Sequence, residues 1–216
     1  NLDRMTCPPT CPRCRGTLHP PGLWSKAWRC DAHGDVDPFH AAKVVGDAAL
    51  HHVVDIAKVP VWMPWPLPLG WLVTGIAHTG DERTGATGTA VACSGPSELG
   101  GPAELVLIAE GAGVGLGAFY SGVDSCVPAL LSGSASMGSA EVKLQAAGHP
   151  TALWPAESAA DRSVLVGEAR GVWLSAVCLP PSSAMTVLDN LELHDLCDDE
   201  SPVAFGIHYG AMSPRL

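Results

Sequence analysis

Two pairs of metal-type ligands near the N-terminus constrain this chain more than any other feature. Cys11 and Cys14 are separated by two residues, and after fifteen further residues Cys30 and His33 repeat that spacing. A Cys-x-x-Cys turn places two thiolates on one side, and a second such turn completes a tetrahedron around a cation of borderline softness. The spacing therefore predicts one zinc ion bound by Cys11, Cys14, Cys30 and His33, with no open position for water.

Other ligand sets also fit this part of the sequence. Cys7 in place of His33 would give a four-cysteine site that suits iron as well as zinc. His19 and His40 are alternative imidazole donors, and in a metal-free chain the cysteines would be ordinary buried thiols. We favour zinc with His33, because two ligand pairs at this separation seldom arise by chance.

The residues around these ligands are too few to bury a core, so the metal's binding energy would be their folding energy. Residues 24–29 have the composition of a strand that leads into the second ligand pair. Gly16 and Gly34 follow the two turns, where the backbone commonly needs a positive φ. These features predict a zinc ribbon over residues 1–38, with a boundary near Asp37 and Pro38.

The remaining residues divide into a helical connector and a strand-rich body. Residues 39–58 place apolar side chains at a loose helical spacing, interrupted by Gly46, and predict a connecting helix. In residues 59–71, four prolines exclude a helix interior and a central strand, so this segment should run extended. Residues 59–216 then form the predicted body, with a flexible loop at 132–139. Its strand-like runs are 71–78 paired with 87–93, 104–110, 151–154, 163–169 paired with 172–178, and 187–196. The last of these also fits a helix, and we favour a strand because of its valine and leucine content.

These strand-like runs rarely alternate with good helices, which indicates hairpins and not a doubly wound sheet. The predicted fold class is α+β, with an N-terminal zinc ribbon followed by a mostly antiparallel β-sheet domain. At 216 residues the chain has room for one ordinary domain and a small appended module.

Charge and cysteine usage limit the classes of function. Residues 1–33 carry five basic and two acidic side chains, a net charge of +3, whereas residues 34–216 carry seven against twenty, a net charge of −13. Nucleic-acid binding would therefore have to use the basic N-terminal residues alone. We expect neither a membrane span nor a signal peptide. Scattered single cysteines at 93, 126, 178 and 197 are typical of a reducing compartment, so we expect a cytoplasmic protein.

The body offers only weak signals of chemistry. The glycine-rich run at 111–118 follows a strand but lacks the lysine of a nucleotide-binding loop, so a close-packed bend is favoured. His51 and His52 with Asp55 suggest a second metal site, although surface histidines are commoner. The acidic run at 195–200 suggests calcium or magnesium, with a solvated loop as the default. Neither Gly-x-Ser-x-Gly nor His-Glu-x-x-His occurs.

Three tryptophans spaced by prolines are the strongest feature of the body. Trp62, Trp65 and Trp71 carry large apolar faces that lose little entropy when they pack. They predict either the joint between ribbon and body, which we favour, or a docking surface for a partner or ligand. Mutating Trp62 and Trp65 separates the two, because only the joint requires them for thermal stability.

Several segments of this chain resemble one bacterial family. They are VPVWMPWPLPLGW at 59–71, the Cys-Pro-Arg-Cys turn, VACSGP at 91–96, GLGA at 115–118 and SPRL at 213–216. Together they resemble an uncharacterised family from high-GC Gram-positive bacteria over nearly the whole chain, and the four zinc ligands match its N-terminal segment. Its members are sometimes labelled phosphotransacetylase, which implies acetyl or phosphoryl transfer but assigns no catalytic residue here. Basic residues that would grip a phosphate are scarce in the body.

The preferred function is therefore an adaptor or accessory subunit that acts through contacts with a protein partner. It depends on a closed metal site, an aromatic and proline-rich segment, and the lack of catalytic motifs. The first alternative is an enzyme that acts on acyl or phosphoryl substrates in a pocket at 111–124, with Asp124 as its candidate residue. The second is nucleic-acid binding by the basic N-terminal residues, which would depend steeply on salt.

Overall fold

The computed structural model describes residues 6–23, 25–97, 99–123, 142–184, 191–198 and 206–216. Five sequence predictions lie wholly or partly outside these ranges: Trp24 at the start of the 24–29 strand, Asp124, the loop at 132–139, the first residues of the strand at 187–196, and the last two residues of the acidic run at 195–200. Within the described ranges, no helix is both long and apolar enough to cross a bilayer.

Strands make up most of the described structure, and helices are few. Helix α1 spans Asp47–Ile56, helix α2 spans Leu116–Ser121, and a single 3-10 turn spans Pro181–Ser183. The strands are β1 (Trp28–Cys30), β2 (Gly34–Val36), β3 (Phe39–Ala41), β4 (Trp62–Pro64), β5 (Leu72–Asp81), β6 (Gly85–Pro96), β7 (Pro102–Glu110), β8 (Val142–Ala146), β9 (His149–Ala156), β10 (Ser163–Ala169), β11 (Val172–Leu179) and β12 (Glu192–Asp195). The predicted α+β class is therefore wrong, because the described chain is mostly β. Short apolar runs bounded by Gly and Pro leave little room for helices.

Ten strands form one sheet in the order β3-β5-β6-β7-β11-β10-β9-β8-β12-β4. Its neighbouring strands are antiparallel, except for β8 and β12, which are parallel. Hairpins join β5 to β6, β8 to β9 and β10 to β11. Arg170 and Gly171, at φ of 56° and 78°, form the two-residue turn between β10 and β11. Such turns match the right-handed twist of the strands.

Both faces at the centre of this sheet are buried. Alternate residues of β7 enter two different cores, Leu105 and Leu107 the first, Val106 and Ile108 the second. This alternation explains why β7 has the sequence of a continuous apolar run. The first core is closed by α1 and by β4, which packs across β6 and β7 as the sheet curls over itself. The second core is covered by α2 and by the C-terminal Leu216.

The N-terminal residues do not form the predicted zinc ribbon. There, only β1 and β2, of three residues each, pair as strands, and the other described pairings are isolated bridges. Two of those bridges join the segment to the main sheet, Thr6 to Ala42 and Thr10 to Phe39. Prolines explain the broken ladder, because each lacks the N–H that a ladder requires. Five lie within residues 6–23: Pro8, Pro9, Pro12, Pro20 and Pro21.

The predicted division into residues 1–38, 39–58 and 59–216 stays a prediction. Within the middle segment, Phe39–Ala41 is strand β3 and pairs with β5. Helix α1 begins only at Asp47, so that Gly46 precedes the helix and does not interrupt it. Placing Gly46 outside the helix avoids the entropic cost of a glycine in its interior.

Candidate metal centre

The first ligand turn is held by its own backbone. The amide of Arg15 donates to the carbonyl of Cys11 at 2.8 Å, and the amide of Cys11 donates to the carbonyl of Gly16 at 2.9 Å. The positive φ predicted for Gly16 occurs one residue earlier, at Arg15, with φ of 58°. Gly16 is needed for space, because a Cβ there would lie 3.2 Å from the sulfur of Cys14.

The second ligand turn joins β1 to β2. Cys30 is the last residue of β1 and pairs with Gly34, the first residue of β2. Gly34 has φ of 70°, as the sequence predicted for the residue after this ligand pair. The hairpin therefore places His33 in its turn, directly beside Cys30.

The two turns bring together all four predicted ligands. The Nδ1 atom of His33 lies 3.5 Å from the sulfur of Cys11 and 3.6 Å from that of Cys30, and the sulfurs of Cys14 and Cys30 are 3.8 Å apart. All four ligand atoms lie within 4.8 Å of one another. A tetrahedron with zinc–sulfur bonds of about 2.3 Å and a zinc–nitrogen bond of about 2.0 Å separates two sulfurs by about 3.8 Å and sulfur from nitrogen by about 3.5 Å. Three of the six ligand–ligand distances therefore match those of a tetrahedral zinc site, so the cluster is compatible with zinc.

The thiols of this cluster differ in acidity. Burial raises the pKa of Cys11 to about 11. Burial acts in the same direction on Cys30, but hydrogen bonds, first among them that of the His33 side chain, outweigh it and lower its pKa to about 6. A metal ion binds the thiolate, so metal binding would displace the proton from Cys11 and depend on pH.

Arg13, between the first two ligands, connects this cluster to the body. Its Nε donates to the carbonyl of Val114 at 3.2 Å, and its Nη2 donates to the carbonyl of Gly113. A Cβ at Gly115 would lie 2.8 Å from the Cγ of Arg13, so the glycine leaves room for this side chain. The glycine-rich run therefore receives a side chain of the metal-binding turn.

Arg15 makes a second connection, into an aromatic pocket. Its guanidinium lies 3.2 Å from the ring centre of Phe39 and 4.4 Å from that of Phe119, and its Nη2 donates to the hydroxyl of Tyr120 at 2.7 Å. That hydroxyl in turn donates to the carbonyl of Arg215 at 3.1 Å. Two basic side chains of the N-terminal segment, Arg13 and Arg15, thus contact the body, which leaves fewer for nucleic acid.

The side chain of Glu110 occupies the space beside the backbone amides of the glycine-rich run. Glu110 is 5% exposed and accepts hydrogen bonds from the amides of Leu116, at 2.7 Å, and Gly117, at 2.9 Å. A Cβ at Gly117 would lie 2.8 Å from Oε1 of Glu110 and equally close to the hydroxyl of Ser175. The carboxylate occupies the place where a phosphate would sit, which agrees with the predicted close-packed bend.

Replacing Glu110 with alanine should lower the free energy of unfolding by about 2 to 3 kcal/mol, because two buried amides would lose their acceptor. Urea unfolding followed by circular dichroism measures the change. Glu168 is the matched control, an exposed carboxylate that accepts from the amide of Gly171 at 2.9 Å. Glu168→Ala should cost less than about 1 kcal/mol, since water replaces the lost acceptor. Equal losses of unfolding free energy in the two variants would contradict the role of Glu110 as the buried acceptor for the amides of Leu116 and Gly117.

The three tryptophans do not form one exposed surface. Trp62 is 1% exposed and Trp71 is 6% exposed, and both belong to the first core. Trp71 also donates from Nε1 to the carbonyl of Pro96 at 3.2 Å. Trp65 is half-buried against the same core. A partner could therefore reach only Trp65 without opening the core.

The histidine pair of α1 is split between two surfaces. His51 and Asp55 are exposed, whereas His52 faces the sheet and packs edge-on against His78, with ring centres 5.6 Å apart. His40 of β3 stacks on the other side of His78 at 5.0 Å. Across the described ranges, the cluster of Cys11, Cys14, Cys30 and His33 is the one group of three or more ligand side chains close enough to share an ion. The structure thus does not bring His51, His52 and Asp55 together as a second metal site.

The described part of the acidic run makes contacts within the protein. Arg170 pairs with Asp195 and Asp198, each at 2.7 Å. Asp195 is 4% exposed, and its Oδ1 also accepts from the amides of Val61 and Cys197 at 3.0 Å. These contacts fasten β12 to the turn after β10 and leave Asp195 unsuited to bind a metal ion.

Sequence reasoning missed a cleft beside the metal-binding hairpin. Its volume is about 320 Å³, and its walls come from several separate parts of the chain. They are Arg13, residues 26–28 and 35–38, Asp81, Arg83 and Thr84 at the β5–β6 turn, and the glycine-rich residues 112–114. Little in the sequence could have indicated it, because none of these stretches is a ligand-binding motif by itself.

Fold and site together define a mostly β protein with a closed cluster of three cysteines and one histidine that could hold a metal ion. The chain belongs to DUF6758, described as a family of unknown function, whose model matches residues 5–216. This agrees with the resemblance to an uncharacterised family that the sequence suggested. No curated protein and no solved structure matches the chain.

Proposed function

We propose that this chain is a zinc protein in which the metal fixes the N-terminal segment against the sheet. The observation that carries the proposal is the separation of 3.5 to 3.8 Å between neighbouring ligand atoms of the cluster. Three sulfurs and one imidazole nitrogen favour zinc over harder cations, which prefer oxygen. Cys7 is not among the clustered ligands, which supports His33 as the fourth one.

The zinc is structural in this proposal, since four protein ligands leave no coordination position for water or substrate. Metal analysis of the purified full chain tests it and should find about one zinc per chain. A folded, metal-free protein would contradict it.

We further propose that the protein works as an adaptor or accessory subunit through contacts with another protein in the cytoplasm. Support comes from an apolar tip at one end of the sheet, defined by Leu69, Leu72, Leu99 and Met212. Leu69 is 97% exposed and Leu99 is 75% exposed. Their turns lie side by side, because a Cβ at Gly70 would touch the ring of Pro96 at 3.3 Å. Exposed apolar side chains on adjacent turns are typical of protein interfaces.

Replacing Leu69 and Leu99 together with aspartate should abolish capture of a stoichiometric protein partner from the native host, while the protein stays folded. Two charges at the centre of an apolar contact would remain desolvated and unpaired, at a cost of several kcal/mol. Leu23→Asp is the matched control, since Leu23 is 99% exposed and lies in the N-terminal segment. Cross-linked pull-downs with quantitative mass spectrometry compare the three proteins. A partner that the double variant still captures would exclude the apolar tip as the interface.

A further inference from the structure

Two arginines in the lining of the cleft beside the β1–β2 hairpin bind backbone carbonyls. Arg13 donates to the carbonyls of Gly113 and Val114. Nη2 of Arg83 donates to the carbonyl of Lys26 at 2.9 Å. These bonds join the N-terminal segment to the glycine-rich residues and to the β5–β6 turn. They therefore hold together the walls of a partly open cleft.

The wall contributed by the hairpin is partly apolar. Trp28 and Val36 are directly opposite each other in the β1–β2 pair, so their side chains share one face. Both are half-buried and line the cavity, with Val114 and Pro38 among the other apolar residues in its lining. A volume of about 320 Å³ lies at the small end of the range for ligand sites. It suits a molecule of amino-acid size and excludes a dinucleotide.

Both signs of charge line the same cavity. The cations are Arg13, Lys26 and Arg83, and the carboxylates are Asp35, Asp37 and Asp81. Arg83 and Asp81 satisfy each other at 3.6 Å. Arg13 donates hydrogen bonds to neutral carbonyls and forms no ion pair in the described contacts, and its charge also acts on the buried carboxylate of Glu110.

Apart from the Arg83–Asp81 pair, the lining offers a ligand the cations Arg13 and Lys26 and the carboxylates Asp35 and Asp37. Asp37 accepts from the hydroxyl of Thr87 at 2.6 Å through a single oxygen. The side chains of Lys26 and Asp35 are exposed at the mouth of the cavity. The three carboxylates do not converge as metal ligands do within the described residues.

We propose that this cavity binds a small zwitterion, a free α-amino acid with an apolar side chain. An anion alone would face Asp35 and Asp37, and a cation alone would face Arg13 and Lys26. A molecule that carries both charges satisfies both sets, since its carboxylate pairs with the cations and its ammonium group with the carboxylates. Its side chain packs against Trp28 and displaces water from the apolar wall.

This proposal rests in part on the proposed zinc site, because the candidate ligands Cys30, at the end of β1, and His33, in the turn before β2, belong to the hairpin that forms one wall. Arg13, which also lines the cavity, lies between the candidate ligands Cys11 and Cys14. Removal of zinc should therefore open the cavity and abolish binding of the amino acid.

Isothermal titration calorimetry on the zinc-loaded full chain tests the proposal with three probes. L-Phenylalanine carries both charges, its amide lacks the carboxylate, and N-acetyl-L-phenylalanine lacks the ammonium group. The free amino acid should bind, and each derivative should bind about tenfold more weakly or worse, because one charge contact is lost. Absence of binding by the free amino acid, or equal binding of all three probes, would overturn the proposal.

Two variants test whether L-phenylalanine binds in this cavity. Lys26→Ala should weaken binding of L-phenylalanine, as should Asp35→Asn, and both residues are exposed, so folding should be preserved. Lys143→Ala and Glu82→Gln are matched controls, since both residues are exposed and neither lines the cavity. If the Lys26 and Asp35 variants bind as tightly as the controls, the cavity is not the site. Zinc is measured in every sample, so a protein that contains zinc but binds no amino acid refutes this proposal and leaves the zinc site intact.

Discussion

The Cys11→Ala, Cys14→Ala double variant should lose its zinc and release the N-terminal segment from the sheet. Zinc binding contributes about 10 to 16 kcal/mol to the folding of small zinc modules, and no hydrophobic core is available here to replace it. Only three buried apolar side chains form the local cluster, and two of them are the ligands Cys11 and Cys30. Metal analysis should find no zinc. Limited proteolysis should cut the chain within residues 6–36 under conditions in which the native protein resists.

The same experiment identifies the fourth ligand. His33→Ala should behave like the double cysteine variant, whereas Cys7→Ala should keep its zinc and its protease resistance. Cys7 is the matched control, because its amide bonds to the carbonyl of Ala41 at 2.8 Å while its sulfur lies outside the ligand cluster. Zinc loss from the Cys7 variant and retention in the His33 variant would instead support the four-cysteine alternative.

Acid should destabilise the protein through the histidine cluster of His40, His52 and His78. Burial, followed by the charges of His40 and His52, lowers the pKa of His78 to about 3, and burial also lowers the pKa of His40 despite the opposing charge of Asp81. The unfolded chain accepts these protons near pH 6.5, before the folded chain does. The free energy of unfolding should therefore fall as pH drops below about 6.5, by about 1.4 kcal/mol per pH unit for His78 alone, until its folded pKa is reached.

A His78→Phe variant isolates this effect, because phenylalanine keeps a planar ring between His40 and His52 but cannot titrate. Urea unfolding at pH 7 and at pH 5 should show a smaller loss of stability for the variant, by about 2 kcal/mol. His149→Phe is the control, since His149 is exposed in β9 and should leave the pH dependence unchanged. If the His78 variant loses as much unfolding free energy between pH 7 and pH 5 as the native protein, the histidine cluster is not the cause of the destabilisation by acid.

Local patterns predicted the hairpins of the sheet well. The sequence paired 163–169 with 172–178, and the structure pairs Ser163–Ala169 with Val172–Leu179. It also paired 71–78 with 87–93, which the β5–β6 pairing confirms, and the strands predicted at 104–110 and 151–154 correspond to β7 and β9. Hairpins are readable because period-two alternation and a short glycine turn determine them within about twenty residues.

Long-range contacts account for what the sequence did not reveal. The N-terminal segment was predicted to be a separate ribbon, because nothing local shows that Thr10 pairs with Phe39 or that Arg15 enters an aromatic pocket. Likewise, the prolines around Trp62 predicted an extended segment whose tryptophans line the joint between ribbon and body or form a docking surface. Instead, β4 is a short edge strand whose tryptophan is buried beneath the curled sheet. Such placements depend on partners far along the chain.

The four ligands themselves were predictable, because ligand spacing is a local property. The sequence indicated Cys11, Cys14, Cys30 and His33, and the structure brings these atoms within 4.8 Å of one another. The role of Arg13 could also have been suspected, since a basic side chain between two metal ligands is displayed in a fixed direction. Its destination on the glycine-rich run required the fold.

The hydroxyl of Tyr120 connects the two ends of the described chain. Its hydroxyl accepts from Arg15, next to the metal cluster, and donates to Arg215 in the last described residues. One phenol thus joins a residue next to the candidate metal cluster to the C-terminal segment that covers the second core. Loss of a bound metal ion, or a change in the C-terminal segment, should therefore increase the rate of amide hydrogen exchange around α2. The exchange rate of this helix would then indicate whether the metal ion is bound.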